Sequence, residues 1–191
     1  MSKIVVVGSI SMDLVMRTKR IPEGGETIFG DSFNIVPGGK GANQAVAIGR
    51  LSSVEDNIYI FGNVGEDIFS ADLLSNLQNN DISTAYVGTV PQSTGVAQIT
   101  LYGGDNRIIY YPGANNLVKT NDWKNEWKLL SDASIVVLQN EILHEANLSI
   151  AKFCQENKVK VLYNPAPARE TDIEMIPFCD FITPNEHECS E

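Results

Sequence analysis

Cysteine and histidine are scarce in this sequence of 191 residues: three cysteines (Cys154, Cys179, Cys189) and two histidines (His144, His187). So few thiols, and an odd number of them, suit a reducing compartment, so a cytoplasmic location is expected and the Asn147-Leu148-Ser149 sequon is expected to be idle. No C-x-x-C pair occurs, and the Cys179, His187, Glu188 and Cys189 group fits no zinc spacing. Cys154 has apolar neighbours on a helical pattern and reads as a core residue, not a nucleophile. His144, at the start of that pattern, reads as a solvated helix terminus. Basic charge is short as well: 14 Lys and Arg against 24 Asp and Glu leave a net charge of −10. Such a surface repels phosphate backbones and anionic lipid, which argues against nucleic-acid and membrane partners. The cluster Arg17-Thr18-Lys19-Arg20 is too small to reverse that. No apolar run approaches the ~20 residues of a membrane span, and the first eight residues lack a signal-peptide layout.

What remains is a globular composition, 43% hydrophobic and 20% charged, at a length suited to one domain. Short β-branched runs alternate with helical patterns, which predicts an α/β fold built on a three-layer, doubly wound, mostly parallel sheet. Strands are expected over residues 3–9, 57–62, 134–139, 159–163 and 181–183. Helices are expected over 41–51, 67–78 (with Ile68, Leu73, Leu74 and Leu77 inward), 122–130 and 144–157, with a short one near 173–179. Trp123 and Trp127, at helical spacing, read as core and not as a stacking platform. Two stretches, 13–34 and 94–111, break the alternation and read as antiparallel strands. They are too short for a domain, so the expectation is a core over 1–12, 37–93 and 114–191 with a small β-lid over 13–36 and 94–113.

In open α/β sheets, ligands bind beyond the carboxyl ends of the strands. Five expected strand ends here carry Asp, Asn, Gln or Glu: Asp13; Asn63; Gln139, Asn140 and Glu141; Asn164; Asn185 and Glu188. Any one of them is explained as a turn residue or helix cap. Their recurrence at one edge suits a neutral, polyhydroxylated ligand, because carboxylates and amides bond readily to vicinal hydroxyls.

The sharpest motif is Pro37-Gly38-Gly39-Lys40-Gly41-Ala42-Asn43-Gln44-Ala45. Adjacent glycines allow positive φ and close backbone approach, and the chain then enters a helix whose free N–H groups are expected to face outward. That helix reads as small and apolar nearly all round, through Ala45, Val46, Ala47, Ile48 and Leu51. It is not a P-loop, since Asn34 stands where the first glycine belongs and Gly41 where Ser or Thr is required. Gln44 occupies the third glycine position of a dinucleotide fingerprint, which excludes that as well.

This motif, preceded by Gly24-Gly25-Glu26-Thr27 and followed by Asn164-Pro165-Ala166-Pro167-Ala168-Arg169 and Thr183-Pro184-Asn185-Glu186-His187-Glu188, resembles the ribokinase-like (PfkB) family of sugar kinases from Lys3 to Glu191. The resemblance implies an ATP- and Mg²⁺-dependent transfer of the γ-phosphoryl group to a primary hydroxyl, O5 of ribose being the expected one. It implies sugar contacts from Asp13, Gly39, Lys40, Asn43 and Glu141. Some members carry Asn two residues before the first carboxylate, and Ser11 stands there with shorter reach. Asn185 would order phosphate, and Glu188 would act on Mg²⁺ through water. The lid would close on the sugar and clasp a second copy into a homodimer. No G-x-G-D run occurs in the chain, so the catalytic base, the adenine pocket and the loop for a monovalent cation such as K⁺ are expected beyond Glu191. The chain alone would then be inactive. A non-catalytic module that binds sugar or a partner, and a kinase for another small sugar or a nucleoside, remain as alternatives.

Overall fold

Val5, Val6 and Val7 are fully buried, yet their side chains belong to two different cores. Strand side chains alternate between faces, so a run apolar at every position marks a strand covered on both sides. The computed structural model describes residues 2–53, 55–120, 123 and 125–189. In it that run is β1 (Lys3–Val7), near the centre of a six-stranded sheet in which every pairing is parallel. The order is β10-β9-β8-β1-β4-β5, with β4 at Asn57–Gly65, β5 at Ile82–Val90, β8 at Ile135–Gln139, β9 at Lys160–Asn164 and β10 at Phe181–Ile182. Helices α1 (Lys40–Leu51) and α2 (Ser70–Gln78) cover the face carrying Val6, Ile60 and Val137. Helices α3 (Asn125–Ser131) and α4 (His144–Glu156) cover the face carrying Val5, Val7, Val136 and Leu138. Burying each such side chain is worth about 1.5–3 kcal/mol. The result is the three-layer α/β sheet that the alternation predicts.

A second sheet, of order β3-β2-β6-β7, stands at the carboxyl end of the first. Its strands are β2 (Ser11–Arg17), β3 (Ser32–Gly38), β6 (Gly95–Tyr102) and β7 (Asp105–Tyr111). The expected all-antiparallel pairing needs correction: β2 and β6 are parallel, and the sheet is mixed. The reason is topological. β2 follows β1 and β6 follows β5, and both leave the core from the same ends of parallel strands, so they run the same way.

Other expectations also shift. β5 has no counterpart among the predicted strands; it is an edge strand whose pairing with β4 is interrupted by an irregularity at Tyr59/Phe61, which blurs its alternation. Ile68, expected inward, is 84% exposed because α2 begins only at Ser70, while Leu73 and Leu77 are buried. α1 is not buried all round: Gly41, Ala42 and Ala45 face the sheet and Leu51 is 88% exposed. The segment expected as one short helix near 173–179 is two 3-10 turns, Glu170–Glu174 and Ile176–Phe178. Residues 122 and 124, in the first turn of the helix expected over 122–130, lie outside the described residues. Trp123 precedes α3 and Trp127 lies within it; both pack on the core in a chain of aromatic contacts, edge-on from Phe61 to Trp123 and Trp127 and tilted from Trp127 to Phe153. His144 is not solvated, since its ring is 14% exposed and lies 3.3 Å from Glu174. Cys154 is buried, and burial pushes its thiol up to about 12, so it is no thiolate nucleophile. Among the described residues no helix is long and apolar enough to cross a membrane.

Candidate functional site

Gly39 stands at the N-terminus of α1 with φ at +91°, a conformation that L side chains rarely adopt, and a Cβ there would come within 2.8 Å of the Ser11 nitrogen. Two residues on, a Cβ at Gly41 would lie 2.7 Å from the Gly8 carbonyl carbon. These two glycines let the mouth of α1 sit directly on the end of β1. Three of its backbone N–H groups are spoken for: Lys40 N donates to Glu141 Oε2 (2.9 Å), Gly41 N to Ser9 Oγ (3.2 Å) and Ala42 N to Ser9 O (2.9 Å). The helix mouth is therefore not the open anion site that free N–H groups would make. A carboxylate from the loop after β8 already caps it, the favourable sign for a helix N-terminus.

Around this junction lies a cleft of about 170 Å³, lined by Gly39, Lys40, Asn43 and Glu141 from the core side and by Ser11, Asp13, Ala97, Ile99, Ile108 and Tyr110 from the second sheet. All six residues singled out at the sugar end thus line one cavity, although 128 positions separate Asp13 from Glu141. Its volume falls below the ~300 Å³ at which drug-sized pockets begin, a scale suited to a small polar ligand. Ser9 Oγ donates to Glu141 Oε2 at 2.6 Å, so one carboxylate oxygen is committed to holding the loop and α1 together. Burial, and then the charge of Glu141, raise the Asp13 carboxyl above its ordinary 3.8.

The spacing did not single out Ser9, Tyr110 or Asn115. Asn115 is fully buried; its Oδ1 accepts from Ile10 N (2.9 Å) and its Nδ2 donates to Ser11 Oγ and Tyr110 Oη, each at 3.0 Å. Its only sequence signal is the Gly113-Ala114-Asn115 return from the second sheet into the core. Ile99, Ile108 and Tyr110 of the second sheet line the cleft. The opposite face carries exposed Phe33, Ile35, Ile109 and Tyr111.

Asn185 and Glu188 are not part of this cleft. They follow β10, three strands from β1, or ~14 Å at the usual strand spacing. There they lock each other: Asn185 N and Nδ2 donate to the two oxygens of Glu188 (2.7 and 2.9 Å), and Asn185 Oδ1 accepts from Glu188 N (2.9 Å). Glu188 also lines a groove with Tyr163, Arg169, Ile176, Ile182 and Pro184. Among the described residues no cluster of three or more His, Cys, Asp or Glu is placed to hold a metal ion.

A parallel α/β core whose first strand and glycine-opened helix share a small hydroxyl-ready cleft, under a mixed β-sheet, defines a class. Over residues 1–191 the chain matches the pfkB family carbohydrate kinases, and it belongs to that family. It is 60% identical over 191 residues to the ribokinase of Lactococcus lactis, a match covering all of this chain and 63% of that protein. The Thermotoga maritima ribokinase structure superposes with a TM-score of 0.88 at 35% identity, covering 98% of this chain and 61% of the other. Arabidopsis thaliana ribokinase complexed with ribose and ATP gives 0.88 at 31% identity, covering 100% and 62%. The chain thus spans a little over three fifths of the length of these relatives.

Proposed function

We propose that this chain is the sugar-binding part of a ribokinase-type kinase, which passes the γ-phosphoryl group of ATP to the 5-hydroxyl of ribose. The observation that carries the reading is the cleft itself, where Asp13 and Glu141 offer acceptors and Asn43 and Lys40 offer donors within one small, partly apolar cavity. Asp13 accepts from ribose hydroxyls. Glu141 uses Oε2 to fix the α1 mouth and has Oε1 left for the ligand. The second sheet acts as a lid that excludes water, so that the sugar hydroxyl and not solvent is phosphorylated. Its exposed far face meets a second copy. Support comes from the family and from the relative whose structure is described as complexed with ribose and ATP.

Asn185 and Glu188 belong to the nucleotide end. A single carboxylate pre-ordered by Asn185 fits Mg²⁺, which takes few protein ligands and much of its coordination from water and substrate phosphates. Glu188 would hold such an ion through water, and the ion would offset phosphate charge. Residues 1–191 as an isolated polypeptide bind sugar without turning it over, because no G-x-G-D run supplies a base and an adjoining anion hole. The test is calorimetric titration with ribose beside an assay of ribose-dependent ADP release, with the Lactococcus enzyme as positive control. Ribose binding without ADP release is expected. Absence of ribose binding removes the sugar reading, and turnover at the control's rate removes the assignment of the base to another segment.

A further inference from the structure

Ser11, Asn115 and Tyr110 form a closed triangle at the roof of the cleft, and its protons can be counted. Ile10 N–H donates to one end of the Asn115 amide, so that end is the oxygen and the other is the NH₂ group. The two amide protons go to Ser11 Oγ and Tyr110 Oη. Both hydroxyl oxygens therefore already accept, and they lie 3.3 Å from each other. One hydroxyl donates to the other, and that spends one of the two O–H protons. The second has no further protein partner among the described residues. Ser11 is 1% exposed while Tyr110 is the more open of the two, so the economical arrangement has Ser11 donating to Tyr110 and leaves the spare proton on the phenol.

We propose that the Tyr110 hydroxyl is a specificity-determining donor, presented by the lid to one hydroxyl of the bound sugar. The inference rests on the cleft being a sugar site. A sugar hydroxyl lodged between Tyr110 and the carboxylates accepts from the phenol and donates to Asp13, so donor, ligand and acceptor form one chain. The phenol stays protonated for this task, because burial and the charges of Glu141 and Asp13 push it up to about 12. The arrangement also explains how a residue as short as Ser11 serves at its position: it orients Tyr110, which spans the remaining distance. Since Tyr110 sits on β7 and Asn115 on the return to the core, the same bonds tie a closed lid to a sugar bearing the right hydroxyl.

The test is calorimetric titration of the purified chain with D-ribose and with its 1-, 2-, 3- and 5-deoxy analogues. Wild type, Tyr110→Phe and Asn115→Asp are compared, with circular dichroism to confirm folding. Tyr110→Phe should weaken ribose about tenfold, the usual worth of one such bond. It should also shrink the penalty for a single deoxy analogue by the same factor, with the other three unchanged. Asn115→Asp keeps the acceptor for Ile10 N but turns both hydroxyls inward as donors, so it should reproduce that pattern with the phenol still present. Unchanged penalties for all four analogues in either folded variant overturn the proposal, whether or not ribose affinity falls. If wild type binds no ribose, it is the sugar reading beneath the proposal that fails.

Discussion

Two carboxylates and the phenol of Tyr110 share a cleft of about 170 Å³, so charge there is held under tension until a ligand arrives. Asp13 shows the effect, its carboxyl raised by burial first and by Glu141 second. Ligand hydroxyls donating to Asp13 reward the charged form, whereas the empty cleft penalises it. Asp13→Asn should therefore cost about 1.5–3 kcal/mol of ribose binding, the usual worth of a bond to a charged group, with little loss of fold stability. Calorimetry and urea denaturation separate the two. Ribose affinity should also fall as pH drops through the raised Asp13 value, at a pH above 3.8. The linkage sign for the unliganded protein is opposite. A raised carboxyl contributes stability that is full below 3.8 and lost as pH rises through the folded value. Urea midpoints of wild type minus Asp13→Asn, followed across that window, should therefore decrease with pH, while ribose affinity of wild type increases.

At the scale of elements, the junction of β1 with α1 positions most of the cleft. The glycine motif was legible in the sequence because the residues it needs are consecutive: positive φ at Gly39, a residue without a side chain at Gly41, a helix immediately after. Gly41→Ala should force α1 away from Gly8, since the new Cβ would lie 2.7 Å from backbone that cannot yield cheaply. Overpacking of this kind costs about 1–3 kcal/mol. A lower urea midpoint with unchanged slope, together with weakened ribose binding, is expected; wild-type values for both would show that the contact is slack. What local pattern could not reveal is pairing across distance. The parallel match of β2 with β6, the capping of α1 by Glu141 from 101 positions away and the Asn115 bonds to Ile10 and Ser11 all depend on the finished topology. β5 escaped notice for a different reason, its alternation being disturbed at the irregularity opposite Tyr59 and Phe61. The loop carrying Glu141 is itself braced from behind. Arg169 donates to the carbonyls of Asn140 and Ile142, on either side of it, and the Tyr163 hydroxyl lies 2.6 Å from both Asn140 Oδ1 and Asp172 Oδ1, which share its one proton. Neither brace was visible in residue spacing.

The whole molecule carries a net charge of −10, which keeps like copies apart except where apolar surface outweighs it. The far face of the lid is such a place, with Phe33, Ile35, Ile109 and Tyr111 exposed on one side of a single sheet. Sedimentation should show a concentration-dependent dimer, and Ile109→Lys should shift it to monomer without altering the circular dichroism spectrum. A wild-type monomer at all concentrations would remove the clasp from the account.

The most direct test of the sugar cleft follows the backbone amides of the ¹⁵N-labelled chain by NMR as ribose is added. Shifts should concentrate at Ser11–Asp13, Gly39–Asn43, Ala97–Ile99, Ile108–Tyr110 and Glu141, and should saturate along one binding curve. Shifts gathered instead along Tyr163–Glu188 or around Phe61 and Trp123, or none at all at saturating sugar, would contradict it.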